Sequence, residues 1–295
     1  MPVVTISEAV SILRAGGLVA IPTETVYGIA ANALNQAAVA SIFAMKGRPA
    51  GHPLILHSRD PRPFARFDAR ADRLGGFWPG PLTLVLPIRP EAGVAAAVTG
   101  GGSTLAVRAP DHPLALALLD ALGFPLAAPS ANRFGAVSPT TAAHVLASFP
   151  DLPTLNGGPC TVGVESTILD LTSATPALLR PGGIPAEALT LALGEEPGGP
   201  SLTRAPGTLP AHYAPRAKVV VAPDAAVVAA RLRDMGLWVA EIHGLDPREY
   251  ARTLYARMRE ADEAGADVLV CEPAAEVGIG IAVNDRLLRA QASSR

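Results

Sequence analysis

The sequence predicts an α/β protein of two units joined by a proline- and glycine-rich connector. Three observations carry that expectation. Short apolar runs in the first part of the chain alternate with helical stretches, and five of them end in a polar group. Between 195 and 217 the composition changes to Pro197, Pro200, Pro206, Pro210 and Pro215 with Gly198, Gly199 and Gly207, as in a linker. Beyond it a β-α-β-α-β pattern implies a small parallel sheet with helices, Rossmann-like in plan. The expected units are 1–194 and 218–295, with the connector over 195–217.

In chain order, Thr5 with Glu8 fits a capping box opening a helix over 5–13, stopped by Gly16 and Gly17. An apolar run over 18–21 reads as a strand, and Pro22 turns it into Thr23, Glu24 and Thr25. If that stretch is extended, the two threonines share a face and Glu24 takes the other. Asn35 caps a helix over 36–45, ended by Lys46, Gly47, Arg48 and Pro49. A strand over 54–56 delivers His57. Residues 63–74 read as an Arg-rich helix, and 77–87 as a proline-framed turn into a buried strand. Gly100, Gly101 and Gly102 form a loop without the lysine of a P-loop. Then come a strand over 104–108, a helix over 113–122 and a strand over 126–128. Ser138 and Pro139 open a helix over 138–149. Strands over 166–171 and 177–179 and a helix over 186–193 finish the first unit. The second unit reads as strands over 218–222, 237–242 and 267–271 with helices over 224–235, 247–263 and 284–290. Gly278 and Gly280 do not follow its first strand, so a dinucleotide fingerprint is absent.

The chain has 295 residues, 49% hydrophobic, and a net charge of −2, so no global basic field points to a nucleic-acid coat. Cys160 and Cys271 offer neither metal spacing nor a disulfide framework. No apolar run reaches the ~20 residues of a membrane span. With no signal-peptide pattern, a cytoplasmic, membrane-free protein is expected.

The five run ends carry the functional argument. They are Thr23, His57, Arg108, the Ser130-Ala131-Asn132 segment and Arg180. In open α/β sheets ligands bind beyond the carboxyl ends of strands. If these ends share one sheet edge, Arg108, Arg180, Lys46 and Arg48 meet hydroxyls and an imidazole in one crevice. That inventory suits a ligand with several negative charges, such as a nucleoside triphosphate plus a carboxylate. It does not suit metal-first hydrolysis or a Ser-His-Asp nucleophile. The plain alternative is that strand ends turn polar on meeting solvent, and that Lys46 complements a helix dipole. Against that stands residue choice. The chain has 22 Arg and only two Lys, Lys46 and Lys218, so a lysine at 46 points to a need for a compact ammonium.

The segments PTETVYG, KGRP, FWPGPLTL, AVRAP, APSAN, SPT, GVEST and LRPGG, in that order, resemble the YrdC-type L-threonylcarbamoyladenylate synthases. HYAP, within the connector, resembles the long two-domain branch of that family. The resemblance implies an open twisted mixed sheet with a concave cationic cleft. It also implies a nucleotidyltransferase making threonylcarbamoyl-AMP from ATP, L-threonine and bicarbonate with release of pyrophosphate. The product would feed a tRNA threonylcarbamoyl-transferase complex, without direct tRNA binding being required. Lys46 and Arg48 would be catalytic. Arg48, Thr104, Ser130, Asn132, Ser138 and Arg180 would hold ATP. Thr23, Thr25, His57, Arg108 and Ser166 would hold L-threonine. Tyr213, with His212, is expected over the crevice mouth on the ATP side, with packing between the units as the alternative. Mg²⁺ would arrive on ATP, and no protein metal ligand is assigned. His52 departs from the asparagine usual in the family. A carbamoyl-transfer module and a double-stranded RNA-binding protein of the same fold are the alternatives.

Overall fold

The computed structural model describes residues 2–49, 51–199, 201, 203–207, 211–244 and 246–293. Pro200 and Pro210 of the connector lie outside them.

The first unit is an eight-stranded mixed sheet in the order β1-β2-β6-β3-β5-β4-β7-β8. Helix α1 (Ile6–Arg14) opens on the expected Thr5–Glu8 capping box. Strand β1 (Val19–Ile21) turns back antiparallel into β2 (Gly28–Asn32), a strand the sequence pattern did not reveal. Helix α2 (Gln36–Lys46) starts on Asn35, whose side chain accepts from the N–H groups of Ala37 and Ala38. It ends at Gly47 in the left-handed region, φ 63°. Strand β3 (Ile55–His57) follows.

Of the expected 63–74 helix only Ala69–Arg73 (α3), capped by Asp68, is α-helical, and Leu74 opens a 3₁₀ turn. The backbone before α3 is engaged elsewhere, with Arg66 N–H donating to Pro87 O and Arg89 N–H to Phe64 O. Then come β4 (Leu82–Pro87), a short α4 (Ala96–Thr99), β5 (Thr104–Arg108), α5 (Pro113–Leu122) and β6 (Leu126–Ala127). Helix α6 (Ala142–Ser148) begins later than expected, capped by Thr141 rather than Ser138. Pro139 is not its first residue, because the Pro139 carbonyl accepts from Tyr27 N–H and Ser138 bonds Glu165. Strands β7 (Thr167–Asp170) and β8 (Ala177–Arg180) and helix α7 (Ala186–Leu193) complete the unit.

Strand direction corrects the expectation of one shared edge. β3 runs parallel to β5, with His57 opposite Arg108, but antiparallel to β6. β6 therefore delivers Ser130 at the other end of the sheet, where β1 also ends, and the turn after β1 comes back to place Glu24 against Arg108. The groups meet across a face instead. Leu54, Leu56, Leu84, Leu105, Val107 and Leu169 point into the main core. Their alternates Ile55, Val85, Ala106 and Ile168 form the opposite face, packed under Ala205 of the connector.

The second unit has β9 (Lys218–Val221), α8 (Ala225–Asp234), β10 (Val239–Ile242), α9 (Pro247–Glu263), β11 (Val268–Cys271) and α10 (Gly280–Ser293). Its sheet is parallel throughout, in the order β10-β11-β9, as the pattern predicted. Helix α10 begins earlier than expected, at Gly280. The two units share a core. Val26, Val137 and Val164 of the first cluster with Tyr213, Tyr250, Leu254, Tyr255 and Leu287. The connector is thus structural as well as a tether.

Candidate active site

A cavity opens on the sheet face beneath the connector. One pole is built from the turn after β1 and the ends of β3 and β5. Thr23 donates its hydroxyl proton to Val26 O at 2.7 Å. The proton shared between Thr23 Oγ1 and Thr25 Oγ1, 2.8 Å apart, is therefore that of Thr25. This leaves Thr25 able to accept a bond from a ligand but not to donate one. His57 Nδ1 lies 3.2 Å from Ile55 O, an acceptor, so Nδ1 carries the proton and Nε2 is a free acceptor. Burial first, then the Arg108 charge, lower the His57 pKa to about 3, so the ring is neutral. Arg108 donates Nε to Gly80 O at 3.3 Å, and its Nη2 lies 2.6 Å from Glu24 Oε1. That ion pair is buried and held by charge, since neither atom has an aligned hydrogen bond. Glu24 is itself fixed by Asp111 N–H at 3.0 Å.

The other pole carries cations and hydroxyls. Arg180 donates Nε and Nη2 to Ser166 O at 3.1 and 2.8 Å, and Nη1 to Pro206 O at 3.0 Å. Arg48 donates Nη2 to Pro53 O at 3.0 Å and rests 5.8 Å from the Phe134 ring. Its Nε is buried without a partner. Burial lowers the Arg48 pKa to about 10, which leaves it charged at neutral pH. Ser130, on the segment after β6, also lines the cavity. The roof is Pro206, Gly207, His212 and Tyr213. Tyr213 sits at φ 63° and is 1% exposed, a backbone cost that its packing must offset. Its ring lies 4.1 Å from that of His212 and 5.9 Å from that of Tyr255 in the second unit.

Residues 11–182 match the family model described as Telomere recombination, and 184–292 match Threonylcarbamoyl-AMP synthase, C-terminal domain. The threonylcarbamoyl-AMP synthase of Pyrococcus abyssi is 40% identical over 96% of this chain and 92% of its own length. The chain belongs to the Sua5 family of threonylcarbamoyl-AMP synthases. The Bacillus subtilis member is 37% identical over 97% of this chain and 92% of its own. The P. abyssi Sua5 structure complexed with L-threonine superposes with a TM-score of 0.91, covering 98% of this chain and 94% of that one, at 40% identity. HypF in its phosphate- and nucleotide-bound form, at 22% identity and a TM-score of 0.54, covers 63% of this chain and 31% of its own; it shares the fold alone.

Of the residues the Sua5 resemblance assigned, Thr23, Thr25, Arg48, His57, Arg108, Ser130, Ser166, Arg180 and Tyr213 line the cavity. Three sit behind the wall instead. The Lys46 ammonium donates to the carbonyls of Ser130 and Asn132, and burial, then Arg48, hold its pKa well below the usual lysine range. Asn132 donates to Arg133 O and Ala136 O, with Oδ1 buried and unpartnered. Ser138 donates to Glu165 Oε1 at 2.6 Å. Thr104 lines an adjoining groove with Gly100, Gly101, Thr203 and Arg204. His52, 5.8 Å from Phe134, is in the same aromatic contact as Arg48.

Two contributions escaped the sequence. Glu165 lines the cavity although only its neighbour Ser166 was assigned; it stood inside the GVEST segment. Pro206 and Gly207 come from the connector, where composition signals only a turn.

Proposed function

We propose that the cavity condenses L-threonine, bicarbonate (or CO₂) and ATP to threonylcarbamoyl-AMP and pyrophosphate. The observation that carries this is the pairing of two unlike poles in one cavity. Arg108, His57 and Thr25 suit an amino acid with a polar side chain, and Arg48, Arg180 and Ser130 suit a polyphosphate. Arg108 offers a planar fork to the threonine carboxylate. His57 Nε2 and Thr25 Oγ1 are acceptors for its amine or hydroxyl protons. Bicarbonate gives CO₂ and hydroxide; the amine attacks CO₂ to form a carbamate, and the proton it loses leaves with the hydroxide as water. A carbamate oxygen then attacks the α-phosphorus, and the bond to the β-phosphate breaks to release pyrophosphate. No covalent enzyme intermediate is needed, so positioning and charge stabilisation supply the catalysis. Lys46 acts on this step by fixing the Ser130–Asn132 segment.

Mg²⁺ would ride on phosphate oxygens and neutralise charge there. The wall supports that reading: among its described residues Glu165 is the one carboxylate, and it already accepts from Ser138, Tyr255 and Arg286. The product is a mixed anhydride, so its consumer is a transferase that passes the threonylcarbamoyl group to tRNA adenosine.

The test is mass spectrometry of products from ATP, bicarbonate and single amino acids. Threonine should give an AMP adduct and equimolar pyrophosphate. Serine should fall behind by roughly 10–200-fold in kcat/KM for its missing methyl. Equal rates with glycine and threonine would contradict the assignment.

A further inference from the structure

The second unit reaches the cavity through a buried charge pair that the proposed chemistry does not use. Arg286, on α10, is fully buried and donates Nε to Glu165 Oε2 at 2.8 Å. Its Nη2 donates to Pro181 O at 3.0 Å and its Nη1 lies 2.6 Å from Asp285 Oδ2. The guanidinium carbon lies 5.1 Å from the centre of the Tyr213 ring. Tyr255, on α9, donates its hydroxyl to Glu165 Oε2 at 2.9 Å. Glu165 is thus held by two side chains from the second unit and by Ser138 from the first.

Glu165 directly precedes Ser166, whose carbonyl and hydroxyl hold Arg180. A buried carboxylate beside a cation competes for that cation unless something else satisfies it. Burial alone would raise the Glu165 pKa; Arg286 first and Arg180 second hold it down to about 2. It stays an anion, and its charge must be answered.

We propose that Arg286 and Tyr255 are positioning residues for the nucleotide subsite: they occupy Glu165, so that the charge of Arg180 is left for the polyphosphate and Tyr213 keeps its place in the roof. Without Arg286, Glu165 turns its uncompensated charge on Arg180 and the ring of Tyr213 loses the cation over its face. The second unit is then part of the site rather than an appendage. The inference rests on the nucleotide reading of that pole.

The experiment is steady-state kinetics of the full chain with ATP and threonine varied separately, after folding is checked by thermal melting. Arg286→Met should raise the KM for ATP by about ten-fold or more, the scale of one lost charged partner, while the KM for threonine moves little. Adding Glu165→Gln to Arg286→Met should recover part of the loss, because the unanswered charge is gone. If Arg286→Met does not fold, Tyr255→Phe removes only one donor and should show the same ATP-selective shift at smaller size. Equal rises in both KM values, or a double variant worse than Arg286→Met, would overturn the proposal and leave Arg286 a packing residue. A wild-type protein inactive with ATP and threonine would instead refute the proposed function, whatever the variants do.

Discussion

Lys46 Nζ lies 2.6 Å from the backbone carbonyl of Asn132, a bond that joins the end of α2 to the segment after β6, 86 residues away. The same ammonium donates to Ser130 O, so one compact cation holds both ends of a three-residue span. A guanidinium is too large and too planar for that place. Lys46→Arg should therefore fail as fully as Lys46→Met. A displacement of this span by about 1 Å would cost turnover on the order of 100-fold. Near-normal turnover in folded Lys46→Met would return this residue to complementing the helix dipole.

Arg108→Lys keeps the charge and loses the fork. An ammonium can follow Glu24, 2.6 Å from Arg108 Nη2, but cannot also match a carboxylate at two points. The KM for threonine should rise about ten-fold or more, with the KM for ATP little changed. An unaltered threonine KM in that variant would remove Arg108 from the site.

Stability should fall with acid in two windows. His57 and His212, both buried, have pKa values lowered from 6.5 to about 3 and about 4, burial being the main cause in each. Between pH 6.5 and 4 the unfolded chain binds these protons and the folded one does not, so stability drops as pH drops. The slope is at most about 2–3 kcal/mol per pH unit for the two groups. Glu165, lowered from 4.5 to about 2, adds stability above pH 4.5 that is lost as pH falls through 2. Denaturant melts at pH 7, 6 and 5 check the first window. His57→Gln should flatten part of the slope; an unchanged slope would mean that His57 is not buried as a neutral ring.

Tyr213→Ala removes the ring from the cavity roof and from its stack on Tyr255 at once. Product yield should fall while the chain stays folded. Saturating ATP and threonine should also slow proteolysis within 195–217 in the wild-type protein. If ligands leave the cleavage rate unchanged, the connector is a fixed wall rather than a closing element.

Apart from β2, the strands were legible because each is a short apolar run, and their polar ends named Thr23, His57, Arg108, Ser130 and Arg180 of the cavity wall. Their directions were not. No local pattern reveals that β6 runs against β3, so the sequence placed Ser130 beside His57 at one edge instead of across a face. The 138–149 helix was overdrawn because a Ser-Pro pair has the same chemistry at a helix entry as in an extended segment; long-range bonds to Tyr27 and Glu165 decided it. Lys46 was found by its rarity, yet its partners are carbonyls, which carry no side-chain signature. Arg286 gave no signal at all. In a helix of an Arg-rich chain it looks like any solvated cation, and only the packing of α10 buries it.

Glu165 and Arg286 stand 121 residues apart in sequence. At the 5–20 residues per second of protein synthesis, the carboxylate emerges roughly 6–24 s before its cation exists. Throughout that interval the first unit can collapse, but it holds an unanswered charge at the cavity wall and an uncovered patch at Val26, Val137 and Val164. A chain cut short within the second unit therefore keeps both the unanswered carboxylate and the uncovered apolar patch.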